Sequence, residues 1–551
     1  MDTEVGEEEE ETQRDRRDGV RRIVRATVGL ALLGVAVRGL GFIEKLVLAY
    51  FFGTQIEVDA YLVAYSLPFS AYIVLRDVIE PAFLPTYLRT QRDSPQDARR
   101  LFWAVGAWLV LLLGVATAAG IAAAAPLISA AAPGFSGPQR EMAIRLTRLA
   151  MPALLFLGLS TLTTAALHAQ KRFALPAAGE ASFRTAPLLL FLAIGRVAGL
   201  ALGVVVGAVT KLLVEGLGLL RGRSLGPAPA GGNGPPARKG TGLRLGAIRR
   251  VLDPSFPPLR TTARLAAPLF AGLFFSLFIG PLVDNAFASQ KEGWVSALAY
   301  ARKIGETLTT ILPYTLGLVL FPFSAEMAAS QDRQALARTL TGAIRALALV
   351  FLPVTAGLIA LREPFIRVLL ERGAFDAAST QLTAGPLLFY SLGLLPFALE
   401  IIAVRFFYAQ QNTLTPVLAD VTAFGLNVAL IPPLMAAFGL GGIALATTIA
   451  KTLKVLALLI LFGRRVPAFR LAALGTFAGK MAVASVATGG ALLAAVLVGR
   501  SLPAGPWATL AYLAAAAVLA VGVFVVTAYL LGVEEIRGAA NRVRERTRRT
   551  T

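Results

Sequence analysis

The sequence predicts an all-α polytopic membrane protein with 14 transmembrane helices, arranged as two six-helix lobes related by a parallel pseudo-two-fold repeat plus two C-terminal helices. Three observations predict it: the hydropathy, the spacing of the apolar runs, and the side on which the basic residues fall. Hydrophobic residues make up 56% of the 551 and charged residues 16%, with mean hydropathy +0.67. A soluble domain is about 25% charged. A span needs ~20 apolar residues, and such runs recur near 24–52, 60–88, 101–125, 143–168, 177–196, 198–220, 262–289 and 294–325. They continue near 337–360, 380–408, 413–436, 440–463, 474–499 and 507–532.

An even count puts both termini on one side of the membrane. The termini and the even-numbered connections carry Arg14, Arg16, Arg17, Arg21, Arg22, Arg89, Arg92, Arg99, Arg100, Lys171, Arg172, Arg464 and Arg465, besides the long linker and the tail from Arg537 to Arg549. The other side has Arg140, Lys291, Arg362, Arg367, Arg372 and Arg500. Basic loops stay in the cytoplasm, so both termini are expected there. The N-terminal stretch EEEEET…RRDGVRR lacks the order of a cleaved signal and reads as a solvated tail, with the first helix retained.

The expected organisation follows. Residues 1–23 form an acidic and basic tail, 24–220 the first six-helix lobe, and 221–261 a cytoplasmic linker, Gly/Pro-rich over 224–243 and flexible by composition. Residues 262–463 form the second lobe, 464–533 helices thirteen and fourteen, and 534–551 a basic tail. Across the linker LHAQKRFALPA (167–177) aligns with FYAQQNTLTPV (407–417), and AFLPTYL (82–88) with VLFPFSA (319–325). The offsets, 240 and 237, nearly coincide. Six helices per copy insert in the same orientation, so the repeat is parallel and binding is expected near the interface of the halves.

The chain has no cysteine and one histidine, His168, which excludes thiol chemistry and disulfides and leaves no His pair for zinc. No enzyme, cofactor or metal is expected. The net charge of +20 sits in loops and tails, which argues against nucleic acid. The anomaly lies in residues 37–89, where Arg38, Glu44, Lys45, Arg76, Asp77 and Glu80 fall inside two apolar helices. A charge at mid-bilayer costs at least ~2.5–3.5 kcal/mol, so these residues need partners or a watery cavity.

VRGLGFIEKLVLAYFFGTQIEVDAYLVAYSLP, the AFLP turn at 82–85, HAQKRFALPA, AYARKI at 299–304, ERGAFDAAS and FFYAQQNTLTPV together resemble the MurJ (MviN) lipid II flippases of the multidrug/oligosaccharidyl-lipid/polysaccharide exporter superfamily. The resemblance spans the chain from the first helix to the fourteenth. It implies export of undecaprenyl-pyrophosphate-linked peptidoglycan precursor by alternating access, with a cationic central cavity for the pyrophosphate and a groove for the polyprenyl tail on the last two helices. The family's other implied partner is the cell-wall synthesis machinery. Another polyprenyl-linked oligosaccharide, or a drug or cation antiported by the same superfamily, is the rival cargo. A polyprenyl glycosyltransferase and a non-transporting scaffold stand further off.

On that resemblance Arg38 takes the first-helix arginine, the second basic position is Glu44 with Lys45 beside it, and the second-helix arginine pair is replaced around Tyr72 and Ile73, leaving Arg76 nearest. The eighth helix reads Arg302-Lys303, and Asp59 matches the family's aspartate. Substrate-binding candidates are thus Arg38, Lys45, Arg76 and Lys303, and gating candidates Asp59 and Glu44. Arg38 and Lys45, seven apart, share a helix face; either they line the cavity or Arg38 makes an interhelical salt bridge. Asp59 is either an N-cap of its own helix or a gate contact with a cation of the other lobe. Arg76 faces substrate or pairs with Glu80, four residues on. Arg302 is expected to point away, toward the head-group region, and His168 to sit at the interface. Asp284 and Asn427 either coordinate a monovalent coupling cation or form a hydrogen-bonded core pair; the membrane potential is the other energy source.

Overall fold

The computed structural model describes residues 39–221, 253–499, 506–538 and 541. Arg38, the N-terminal tail, most of the linker and most of the basic C-terminal tail lie outside them. Among the described residues every regular element is helical, as lipid requires of a backbone that must satisfy its own hydrogen bonds. In chain order these are α1 (39–52), α2 (Ile56–Asp93), α3 (Pro95–Ala122), α4 (Ala124–Ala131), α5 (Gly137–Ala150), α6 (Ala153–Ala169), α7 (Ala174–Ile194) and α8 (Val197–Arg221). After the linker come α9 (Pro257–Leu273), a π-helical turn (Phe274–Ile279), α10 (Gly280–Ala288), α11 (Trp294–Ala329), α12 (Arg333–Leu370), α13 (Ala377–Leu392) and α14 (Leu394–Ala409). Then follow α15 (Leu414–Phe438), α16 (Leu440–Arg465), a 3₁₀ turn (Leu471–Leu474), α17 (Gly475–Gly499) and α18 (Pro506–Leu530).

Among the described residues eleven helical stretches are long and apolar enough to span a membrane, α5 and α6 together (Gly137–Ala169) making one of them, or up to thirteen when two bent pairs count as one span each. The bends are 49° between Pro257–Leu273 and Leu277–Ala288, at the π turn, and 46° between α13 and α14, at Gly393. Inserted turns and glycines are the usual sites of kinks. Two helices outrun the expected bounds. α2 and α12 each have 38 residues, about 57 Å at 1.5 Å per residue and well beyond ~30 Å of hydrocarbon. The connection expected over 361–379 therefore shrinks to 371–376, and Arg362, Glu363 and Arg367 lie on α12 rather than in a loop. Asp332 and Asp376 cap the starts of α12 and α13, accepting from the backbone N–H of Ala335 and Ser379.

The chain clusters into two compact units, and each draws on the first six helices. One comprises Met1–Glu44, Leu75–Ala118 and Ala150–Ala266; the other comprises Lys45–Val74, Ala119–Leu149 and Ala267–Thr551. In the first, α7 and α8 form a tight hairpin. A Cβ on Gly203 would fall 2.3 Å from the Pro187 backbone, and one on Gly207 2.8 Å from the Phe183 carbonyl; small residues at such crossings let helix backbones meet. In the second, α17 and α18 pack on α12 through Ala348, Phe477, Met481, Ala484 and Phe524. The turns at the two ends of the 240-residue offset have one geometry. Lys171 (φ 60°) and Gln411 (φ 57°) are both left-handed. The next residues, Arg172 and Asn412, donate to the carbonyls of Leu167 and Phe407 at 2.9 and 3.0 Å.

Candidate functional site

Within the second unit four connections, 53–55, 132–136, 289–293 and 371–376, are locked together. Asp59, in the first turn of α2 and fully buried, accepts from the backbone N–H of Gly293 and of Ser296, both at 2.8 Å. It therefore caps α11, not its own helix, and its partners are amides rather than a cation. A carboxylate at a helix N-terminus satisfies orphan donors and complements the positive end of the dipole. Around it Tyr300 donates to the Gly53 carbonyl at 3.0 Å, Ala374 N–H to the Tyr50 carbonyl at 2.8 Å, and Gly134 N–H to Ser289 Oγ at 3.0 Å. Thr54 and Ser379 share a hydroxyl hydrogen bond of 3.0 Å. The Ser379 backbone N–H and hydroxyl in turn hold the Asp376 carboxyl below its ordinary pKa. Glycine is required at two of these contacts. Gly53 (φ 54°) and Gly373 (φ 63°) are left-handed, and a Cβ on either would lie 2.3 Å from a carbonyl oxygen, of Ala374 and of Tyr50 respectively.

Further along α11 the charges turn inward. Arg302 pairs with Asp284 on α10 and donates to the Tyr390 hydroxyl on α13 at 3.2 Å, so it does not point to the head-group region. The sequence spacing from Lys303 predicts a different direction, but it cannot reveal an acid on another helix. Arg405 on α14 lies over the Tyr314 ring at 5.0 Å, a cation on a facing helix that the sequence reading passes over. Lys45 on α1 sits 5.8 Å from the Tyr65 ring. Asn285 donates to Ser66 Oγ at 3.0 Å, tying α10 to α2.

Comparison with known proteins decides the family. A family model described as lipid II flippase MurJ matches residues 48–527. The chain belongs to the MurJ lipid II flippase family. A probable lipid II flippase MurJ of Buchnera aphidicola subsp. Baizongia pistaciae is 24% identical, with 72% of this chain and 74% of that one covered. The lipid II flippase MurJ of Burkholderia cenocepacia is 27% identical, covering 72% and 75%. A solved lipid II flippase MurJ in an inward closed conformation has the same fold, with TM-score 0.72 at 20% identity over 91% of this chain and 98% of that one. An inward-facing multidrug MATE transporter follows at TM-score 0.59 and 14% identity, covering 78% and 98%.

The remaining positions implied by the MurJ resemblance fall as follows. Arg38 lies outside the described residues. Glu44 is buried on α1. Lys303 is half-buried on α11, one residue beyond the Arg302 pair. Arg76 pairs with Asp77 at 2.8 Å rather than with Glu80, and Glu80 is instead 2.6 Å from His168 Nδ1, so His168 has a carboxylate partner on α2. Asp284 keeps one buried carboxylate oxygen, Oδ1, without a hydrogen-bond partner, and Asn427 on α15 keeps its buried amide oxygen, Oδ1, likewise unpartnered. An apolar cavity of about 1250 Å³ lies between α12 and α18, lined by Val350, Pro353, Leu361, Phe365, Val521 and Phe524 among others. Two buried ion clusters escaped the sequence reading. One joins Lys211 to Glu215 (2.9 Å) and Glu180 (3.4 Å); the other joins Lys454 to Glu400 (2.5 Å) and to Asp420. Their signal was available, as lone charges inside apolar runs.

Proposed function

We propose that the chain moves undecaprenyl-pyrophosphate-linked peptidoglycan precursor, lipid II, from the inner to the outer leaflet by alternating access. It acts as a transporter, not an enzyme. The family match over residues 48–527 carries the reading. In this reading the protein has 14 spans in two pseudo-two-fold-related lobes of six, plus two, with both termini in the cytoplasm of a bacterium's inner membrane. The locked connections, which follow odd-numbered spans, then lie on the outer face. Asp59 is the gate residue, helped by Glu44.

Arg38, Lys45, Arg76 and Lys303 neutralise the pyrophosphate, because guanidinium and ammonium groups bind its oxygens through charge-assisted hydrogen bonds. Like charges in an empty cavity resist closure, and a bound anion removes that resistance, giving the ligand the differential affinity that a conformational change needs. The polyprenyl tail lies in the α12–α18 groove. The unpartnered oxygens of Asp284 and Asn427 support a coupling-cation site, with the membrane potential as the alternative energy source. Rescue of a flippase-depleted strain tests the reading. The wild-type chain restores growth, and Arg38→Ala abolishes rescue while inserting normally. Full rescue by Arg38→Ala overturns its role, and drug export without lipid II flipping in vesicles overturns the cargo.

A further inference from the structure

A second cavity, of about 660 Å³, is lined by Gln334, Arg338, Thr341, Arg345, Arg470 and Glu535 together with small residues. Glu535 also lines the apolar groove, so the two spaces meet at that residue. Arg338 and Arg345 are seven apart on α12 and share a face. Arg345 is held by Glu535 at 2.9 Å and lies 5.3 Å from the Phe477 ring, yet its Nε is buried with no hydrogen-bond partner. Arg338 and Arg470 are exposed, and no carboxylate pairs with either among the described residues. Three guanidinium groups thus line the pocket with one carboxylate, Glu535, while Arg345 also lies 3.6 Å from the exposed Glu534, at the end of a slot lined almost wholly by hydrocarbon.

We infer that this pocket binds the phosphate headgroup of a lipid whose chain lies in the α12–α18 groove. The polar and apolar parts match the two ends of such a molecule. Guanidinium forks take phosphate oxygens in pairs, and basic pockets between transmembrane helices on the cytoplasmic side hold anionic headgroups. The N-terminal end of α12 carries Arg338 and Arg345 near the turn that, in the proposed topology, is cytoplasmic. In that topology the pocket is therefore a lipid-phosphate site of the inner leaflet. Either a polyprenyl pyrophosphate or a phosphoglycerol lipid supplies this chemistry. The inference rests on the groove reading for the position of the chain and is independent of it for the phosphate.

Full-length protein in phosphatidylcholine nanodiscs is photolabelled with two probes, polyprenyl pyrophosphate and phosphatidylglycerol, each with a diazirine in the tail. Labelled peptides are mapped to α12 and α18. Arg338→Ala with Arg470→Ala weakens half-saturation about tenfold, or ~1.4 kcal/mol for the two exposed contacts together, while the double lysine variant retains most of it. Loss for the pyrophosphate probe alone identifies the cargo, and equal loss for both identifies a site for any anionic lipid; either supports the inference. Ala517→Trp, which fills the groove, tests the chain separately. Labelling abolished by Ala517→Trp but unchanged by the double alanine variant overturns the headgroup site and leaves the groove standing. The reverse pattern sustains the headgroup site and overturns the groove.

Discussion

Asp59 shows how far a single residue can be read from its neighbours. An acid at the head of an apolar run signals a helix start, and that much was legible; the helix it caps begins 235 positions later, at Trp294. No local pattern encodes such a partner. The two amides it accepts from are buried, so removing the carboxylate leaves donors unsatisfied at about 1–3 kcal/mol. Asp59→Ala should therefore shift the locked connections toward an unlocked form by roughly 5- to 100-fold. The chain has no cysteine, so Cys at position 379 alone can report the opening. Its reaction with a membrane-impermeant thiol reagent should accelerate in the Asp59→Ala background. An unchanged rate would show that Asp59 does not hold the connections together.

Elements were legible in kind and order but not in length or contact, and eleven to thirteen candidate spans stand among the described residues where fourteen were expected. The apolar runs mark the spans because lipid leaves a backbone little alternative to a helix. The charged extensions of α2 and α12 are invisible to hydropathy, since they continue past the hydrocarbon as ordinary helix. The turn between α1 and α2 is a sharper case. GTQ reads as a loop, whereas its glycine is fixed by the approach of Ala374. Gly53→Ala adds a Cβ 2.3 Å from a carbonyl oxygen at a left-handed φ, a conformation costing a non-glycine residue roughly 1–2 kcal/mol even without the clash. It should raise thiol labelling at position 379 and reduce rescue, with the protein still inserted; normal rescue and labelling would mean the turn is free to move. At the other end, Met481 is fully buried where α17 meets α12, and Met481→Ala should cost about 2–5 kcal/mol, read as a lower unfolding midpoint in detergent. The seat of α17 on α12 was not legible, because no local pattern names the helix it packs against.

Across the whole molecule, the proposed repeat explains why the buried ion clusters went unread. Position 180 maps to 420 and 211 to 451, acid on acid and lysine on lysine, but Glu215 maps to Val455. The second copy instead takes its other acid, Glu400, from α14, and its most buried cation is Lys454, one turn beyond Lys451. Aligning residues hides this, because what the two copies share is a requirement: each cation buried in the bundle must meet carboxylates. The first cluster adds Thr163 and Thr164, which donate to Glu215 at 2.5 and 3.0 Å. Breaking a buried pair by removing one partner costs about 3–5 kcal/mol, whereas replacing the set with apolar residues is often neutral. Lys454→Met should therefore lower the unfolding midpoint in detergent sharply, and adding Asp420→Asn should recover part of the loss by removing one stranded charge. If Lys454→Met alone costs less than about 1 kcal/mol, the cluster is solvated rather than structural. A large loss without recovery in the double variant would place the demand on Glu400, leaving Asp420 a bystander at the edge of the bundle.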